Sequence, residues 1–220
     1  MAPKLVVFDM AGTTVQDGDG VVNHALQAAL IAYGVNVTHA QVNEVMGLPK
    51  PDAIRHLLKE SPVPVAKIYQ TFEDEMVRHY ATAPDVKAIE GAEQVFAELR
   101  RRGIKVVLDT GFARPIVDVI LDRLKWRTAV DATVTSDEVV RGRPHADLIL
   151  EAMARTGVED AQSVAKVGDT PSDLQEGHAA GCKWVIAVTD GSHSAEQLRA
   201  YEPTHIIPNI THLLPLFGDT

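Results

Sequence analysis

Four short, largely apolar runs, Leu5 to Phe8, Ile104 to Leu108, Ser163 to Val167 and Trp184 to Val188, each stop at a polar, glycine-containing segment. Those segments are Asp9 to Gly12, Asp109-Thr110-Gly111, Gly168-Asp169-Thr170 and Thr189-Asp190-Gly191. Short apolar runs bounded by turn formers read as buried strands. Helical patterns lie between them, at Ala92 to Arg102, Pro115 to Leu124, Ala146 to Arg155 and Pro171 to Ala180. Strands alternating with helices of roughly 10–15 residues build βαβ units on a parallel sheet. Ligands of such sheets bind beyond the carboxyl ends of the strands, which is where the Asp, Thr and Gly residues fall.

The interval from about Val15 to Ala88 breaks the alternation. It reads as helices at Val21 to Tyr33, Ala40 to Met46, Asp52 to Leu58 and Ala66 to Ala81, with Thr38 as an N-cap. The expected architecture is therefore α/β: a Rossmann-like parallel-sheet core of residues 1–14 and 90–220, with an all-helical cap of residues 15–89 inserted after the first strand.

Composition narrows the function by exclusion. Lys and Arg number 21 against 30 Asp and Glu, a formal charge of −9. A nucleic-acid binder usually carries a basic excess to neutralise phosphates. The lone Cys182 rules out an internal disulfide and any multi-cysteine zinc site. No stretch approaches the roughly 20 apolar residues of a membrane-spanning helix, and the apolar run near Met1 is too short for a signal peptide. The expectation is a cytoplasmic protein that engages neither membrane nor nucleic acid.

Three segments carry chemistry together: Asp9-Met10-Ala11-Gly12-Thr13-Thr14, Asp109-Thr110-Gly111 and Gly168-Asp169-Thr170-Pro171-Ser172-Asp173. One Asp after a strand is most often a turn former. Three such segments at strand ends are harder to obtain from turn chemistry alone. Converging carboxylates repel, so a cation must offset them, and all-oxygen ligation suits Mg²⁺. Thr13 and Thr110 offer hydroxyls, glycines let backbone N–H groups approach an anion, and Pro171 suits the first turn of a helix facing the same point. This is a donor set for phosphoryl transfer to an aspartate.

On these motifs the chain resembles the haloacid dehalogenase superfamily of aspartyl-nucleophile hydrolases over nearly its whole length, with a cap of the C1 type. The resemblance implies Asp9 as nucleophile and Thr110 as a donor to phosphate. It implies Asp9, the Ala11 carbonyl, Asp169 and Asp173 as Mg²⁺ ligands. It also implies a basic residue near the nucleophile, for which Arg143 in Gly142-Arg143-Pro144 fits better than Arg141.

Phosphomonoesterases of the superfamily carry a second Asp two positions after the nucleophile, and here that position is Ala11. A methyl group transfers no proton, and losing a general acid commonly costs about 10²–10⁴ in rate. Asp9-Met10-Ala11-Gly12-Thr13, Arg143 and the cap segment Met46-Gly47-Leu48-Pro49-Lys50 together resemble the phosphonatase branch. That likeness implies a small phosphonate substrate, with Thr13, Met46, Gly47 and Gly111 at the substrate and Lys50 condensing with its carbonyl. The enamine that then departs needs no acid at Ala11. In that branch a His follows the cap lysine by three positions and a Tyr follows the second-motif Thr by two; Ala53 and Phe112 stand there instead. A Cys is also replaced by the stretch Asp17 to Gly20. A related 2-oxoalkylphosphonate, or a slower enzyme of the phosphonatase-like subgroup, is therefore a further expectation; His24 and His56 are candidates for proton chemistry from the cap, where a His is more often a surface or packing residue. The alternatives are a phosphomonoesterase acting on a small phosphorylated metabolite and a non-catalytic phosphate-metabolite module. The likeness also implies a homodimer through the cap, which the apolar positions of Val21 to Tyr33 permit.

Overall fold

The computed structural model describes residues 2–16, 18–59 and 61–218. Asp17 and the side chain of Asp19, both within the stretch Asp17 to Gly20, lie outside the described residues. Six parallel strands form one sheet: β1 (Leu5–Asp9), β2 (Lys105–Thr110), β3 (Ala132–Thr135), β4 (Val164–Gly168), β5 (Trp184–Val188) and β6 (His205–Ile207). Their spatial order is β3-β2-β1-β4-β5-β6. The chain winds outward from β1 in one direction, then crosses back to β4 and winds in the other. The crevice between those halves is the place where sheets of this order bind ligands.

The central strands are buried along their lengths, as a parallel sheet covered on both faces requires. Side chains alternate between two cores. Val6, Phe8, Val106, Leu108, Val167 and Ile186 join one, together with the inner faces of α5 (Ala92–Arg101) and α6 (Arg114–Leu124). Leu5, Val7, Val107, Val134 and Val185 join the other, with α7 (Asp147–Thr156), α8 (Pro171–Ala179) and α9 (Ala195–Arg199).

Among the described residues, four α-helices lie between β1 and α5: α1 (Val21–Ala32), α2 (His39–Asn43), α3 (Lys50–Leu58) and α4 (Val65–Thr82). Thr38 caps α2 as expected, its hydroxyl accepting from the Gln41 amide while the Gln41 side chain accepts from the Thr38 amide. The apolar face of α4 (Ile68, Phe72, Met76 and Tyr80) is buried, and α4 packs against both α1 and α6. The inserted helices are thereby seated on the sheet-flanking layer rather than standing apart from it.

Four elements differ from the sequence expectation. β3 and β6 were not foreseen, being short edge strands in which Thr133, Thr135 and His205 interrupt the apolar run. α9 has five residues, too few to establish a helical period. Lys50 was expected in a turn and instead opens α3, with Pro51 in the first turn behind it. Among the described residues no helix is long and apolar enough to cross a membrane.

Candidate active site

The β1/β2 register places Asp9 opposite Asp109, and the β1/β4 register places Val7 opposite Lys166. With a side-chain period of two, Asp9, Asp109 and Lys166 all project from the same face of the sheet. Glu176 reaches that face from α8, and Arg143 from the loop before α7. Arg143 is fully buried among them. Its Nη1 donates to Asp9 Oδ1 at 2.6 Å, its Nη2 to Asp109 Oδ1 at 2.5 Å and its Nε to Glu176 Oε2 at 3.1 Å. Nη1 also lies 2.9 Å from Asp173 Oδ1. Arg141 instead pairs with Asp147 in solvent. The structure thus separates the two arginines that the sequence left close.

Lys166, Glu176 and Ser192 were not singled out from the sequence. Lys166 is buried, donates to Asp109, and lies 3.0 Å from Glu176 and 3.2 Å from Asp173. A lysine inside an otherwise apolar central strand was the available signal, because a buried ammonium persists only when paired. Ser192 donates both its N–H and its hydroxyl to Asp169 Oδ2, each at 2.7 Å.

The segment after β1 turns tightly onto the segment after β4. Thr14 donates to the Asp9 carbonyl at 2.9 Å, and Thr13 donates to Asp169 Oδ1 at 3.0 Å. Gly12 has φ of +88°, and a Cβ there would stand 2.6 Å from Asp169 Oδ2, so only glycine lets the two segments approach. Thr170 caps α8 reciprocally with Asp173, donating its N–H and hydroxyl to Asp173 Oδ2 at 3.1 and 2.6 Å.

Five carboxylates (Asp9, Asp109, Asp169, Asp173 and Glu176) therefore share a buried region with two cations, Arg143 and Lys166. Burial pushes Asp9 up to about 8, reinforced by Asp173 and Asp169 and opposed by Arg143 and Lys166. Burial likewise pushes Asp169 up to about 6, with Asp173 adding to it and the Ser192 and Thr13 hydrogen bonds opposing. Asp173 is also penalised by burial, but Arg143 and Lys166 outweigh that and hold it below the usual carboxylate range. Oxygens of Asp9, Asp109 and Asp173 lie within 4.8 Å of one another, and Asp109 Oδ2 has no hydrogen-bond partner among the described residues. An excess of buried carboxylates that hold protons above their ordinary range is what a hard, oxygen-seeking divalent cation relieves. The donor set fits such an ion.

The loop between α2 and α3 closes over this cluster. Gly47, at φ of +83°, would place a Cβ 2.3 Å from Thr170 Oγ1, and a Cβ on Gly111 would stand 2.7 Å from the Leu48 carbonyl. These contacts set the start of α3 against the ends of β2 and β4. Lys50 is 3% exposed, its Nζ 5.5 Å from the Phe112 ring centroid and 6.0 Å from that of Phe72. A cavity of about 20 Å³ is lined by Asp9, Met46, Lys50, Thr110, Phe112 and Arg143, among others. Ala11, Gly47 and Gly111 also border it. Of the expected site residues, Asp9, Ala11, Met46, Gly47, Lys50, Thr110, Gly111 and Arg143 border this one small space, whereas Asp169 and Asp173 do not. Thr13 does not border it, since its hydroxyl is turned to Asp169. His24 and His56 are exposed, away from the cavity lining.

A doubly wound parallel sheet with an acidic site at the crevice beside β1, covered by helices inserted after that strand, places the protein in the class of capped α/β hydrolases. More narrowly, the chain belongs to the haloacid dehalogenase-like hydrolases, whose family model matches residues 6–188. A phosphonoacetaldehyde hydrolase of Bacillus cereus (strain AH187) is 31% identical over 211 residues, covering 87% of this chain and 78% of its own. The corresponding protein of Bacillus anthracis is 29% identical over 227 residues, covering 94% and 84%. Among solved structures, a phosphonoacetaldehyde hydrolase-like protein from Oleispira antarctica superposes with a TM-score of 0.87 at 24% identity, covering 99% of this chain and 92% of the other. A protein assigned as a phosphoglycolate phosphatase from Lactobacillus delbrueckii superposes with a TM-score of 0.81 at 20% identity, covering each chain fully. At those identities the superpositions bear on the fold alone.

Proposed function

We propose that this hydrolase cleaves the P–C bond of phosphonoacetaldehyde or a related 2-oxoalkylphosphonate, using Lys50 to form a Schiff base and Asp9 to accept the phosphoryl group. The observation that carries the reading is a buried lysine in the same cavity as Asp9 and Arg143, with Ala11 where a phosphomonoesterase needs an acid. The names of the Bacillus relatives point the same way.

The neutral Lys50 amine adds to the substrate carbonyl, water is lost to give an imine, and the imine nitrogen takes up a proton to become an iminium. The aromatic walls of Phe72 and Phe112 keep water from this amine. An Asp9 oxygen then attacks phosphorus. The P–C bond breaks and its electron pair moves into the iminium, giving an enamine on Lys50 and a phosphoryl group on Asp9. No proton is needed at the leaving carbon during cleavage, so Ala11 costs nothing in this step. Arg143 and Thr110 offset charge on the phosphoryl oxygens. Water then cleaves the aspartyl phosphate, and the enamine takes a proton on carbon and hydrolyses from Lys50 as an aldehyde or ketone. Mg²⁺, held by Asp9, Asp169, Asp173 and the Ala11 carbonyl, would supply neutralisation of phosphonate charge.

Borohydride reduction with phosphonoacetaldehyde present, followed by peptide mass analysis, tests the reading. The expected result is inactivation with an ethyl group on Lys50, absent from Lys50→Arg. Brisk hydrolysis of phosphate monoesters that survives Lys50→Arg, with no adduct, would assign the protein to the phosphomonoesterases instead.

A further inference from the structure

Asp169, in the turn after β4, and Asp173, in the first turn of α8, are held by the same device. Asp169 Oδ2 takes both the backbone N–H and the hydroxyl of Ser192, each at 2.7 Å. Asp173 Oδ2 takes both the backbone N–H and the hydroxyl of Thr170, at 3.1 and 2.6 Å. An ionised carboxylate offers about two lone-pair positions on each oxygen, so in each residue a single neighbour fills one oxygen. The other oxygen is left more open. Asp169 Oδ1 accepts from Thr13 at 3.0 Å, and Asp173 Oδ1 faces the charges of Arg143 and Lys166 at 2.9 and 3.2 Å.

Backbone also closes on the filled side of each carboxylate. A Cβ on Gly191 would overlap Asp169 Oδ2, and a Cβ on Gly168 would stand 2.6 Å from Asp173 Oδ2. The Ser192 hydroxyl is itself anchored, because its Oγ lies 2.9 Å from Nδ1 of the buried His193. The hydroxyl hydrogen goes to Asp169, which when ionised only accepts, so the ring nitrogen donates to Oγ. A cation held by this pair therefore receives one oxygen from each carboxylate. Mg²⁺ suits that supply, since it demands a tight octahedron and completes it with water. Ca²⁺ takes more oxygens at longer distances and readily uses both oxygens of one carboxylate.

We propose that Ser192 is a positioning residue that sets the choice of cation: by filling Asp169 Oδ2 it restricts that carboxylate to one-oxygen ligation and so favours Mg²⁺ over Ca²⁺. Thr170 restricts Asp173 in the same way, but it also caps α8, so its removal would disturb the helix as well. Ser192 is half-buried and caps no helix, which leaves it the cleaner position to change. The proposal rests on the reading of Asp169 and Asp173 as cation ligands.

The test measures Mg²⁺ and Ca²⁺ binding to the metal-free, full-length protein by calorimetry, with thermal melting as a check on folding. The wild type should bind Mg²⁺ more tightly than Ca²⁺. Ser192→Ala opens one position on Oδ2 while the backbone N–H stays, and the ratio of the two dissociation constants should move toward Ca²⁺ by about tenfold or more, the scale on which outer partners of a ligand act. Ser192→Thr keeps the hydroxyl and should hold the ratio within about twofold of the wild type. Thr13→Val frees a position only on Oδ1, the oxygen already open, and should hold it equally. A merely structural role for Ser192 would weaken both ions alike. An unchanged ratio in Ser192→Ala, an equal shift in Ser192→Thr or Thr13→Val, or binding of neither ion by the wild type would overturn the proposal. Phosphate release from phosphonoacetaldehyde separates this from failure of the P–C reading. A Ser192-dependent preference without release would reject that chemistry and keep the role of Ser192. Mg²⁺-dependent release with a ratio indifferent to Ser192 would do the reverse.

Discussion

Arg143 Nη1 sits 2.6 Å from Asp9 Oδ1, both side chains out of water, and the same guanidinium also serves Asp109, Asp173 and Glu176. Removing it leaves those four carboxylates with Lys166 as the cation beside them. Breaking a buried pair from one side commonly costs about 3–5 kcal/mol, so Arg143→Met should lose about that much in urea unfolding. It should also lower kcat/KM by at least about 10², the scale for losing one stabiliser of developing charge. Arg143→Lys should recover part of the stability and little of the activity, since an ammonium cannot span the same acceptors. Full activity in Arg143→Met would remove this residue from the site.

Gly47 connects the insertion to the core through backbone shape. At φ of +83°, with Thr170 Oγ1 2.3 Å from where a Cβ would stand, the position resists any side chain. Gly47→Ala should cost about 1–2 kcal/mol by strain at positive φ. Its larger effect should fall on kcat/KM, because the displaced loop carries Lys50 away from Asp9. Thermal melting and steady-state kinetics measured together separate the two effects. A variant that melts early yet retains wild-type kcat/KM would show that this contact is structural only.

Asp9 and Asp169 are held at about 8 and about 6, chiefly by burial, in the absence of a cation. Both values lie above those of an unfolded chain, near 4, so the folded protein binds more protons between those limits. Stability from these groups is complete below about pH 4 and is lost as pH rises through 6 and then 8. The metal-free protein should accordingly melt at a lower temperature at pH 8 than at pH 5. Added Mg²⁺ should raise the melting temperature more at pH 8 than at pH 5, and its binding should release protons. Calorimetry in two buffers of different ionisation enthalpy measures that release. Equal Mg²⁺ stabilisation at both pH values, with no proton release, would contradict the assignment of these carboxylates to a cation.

Much of this arrangement is legible in the sequence, for a physical reason. A parallel sheet buried on both faces writes its central strands as unbroken apolar runs, so β1, β2, β4 and β5 stood out, and so did the residues at their carboxyl ends. Edge strands β3 and β6 have less to bury and carry Thr and His, which hid them. The convergence of Lys50 on Asp9 was expected from a motif; its cause, the seating of Gly47 and Leu48 against Thr170 and Gly111, involves residues more than 60 positions apart in the chain. Lys166 was concealed differently. It lay in plain view inside a strand run, but one polar residue in five does not change a strand assignment.

Lys166 offers the sharpest test of how the buried charges depend on one another. It joins Asp109 and Glu176 behind Arg143, and burial together with Asp109 pushes Glu176 up to about 8 despite both cations. In Lys166→Met a similar side-chain volume is kept but the ammonium is lost, so the carboxylates behind Arg143 face each other with one cation fewer. The single variant should be destabilised by about 3–5 kcal/mol, the cost of stranding partners of a buried ion pair. Glu176→Gln alone removes a charge that is already held close to neutral, and should cost less, about 1–2 kcal/mol from altered hydrogen bonding. Combining them should cost less than the sum, by about 1–3 kcal/mol, because residues in one charge network couple on that scale. Activity should follow the same cycle, since Asp109, left without Lys166, draws Arg143 from Asp9, and Glu176→Gln alters another of the contacts that hold the same guanidinium. Urea unfolding and kcat/KM on all four proteins give both cycles. Strict additivity in each would show that Lys166 fills space in the sheet and does not hold Arg143 on the nucleophile.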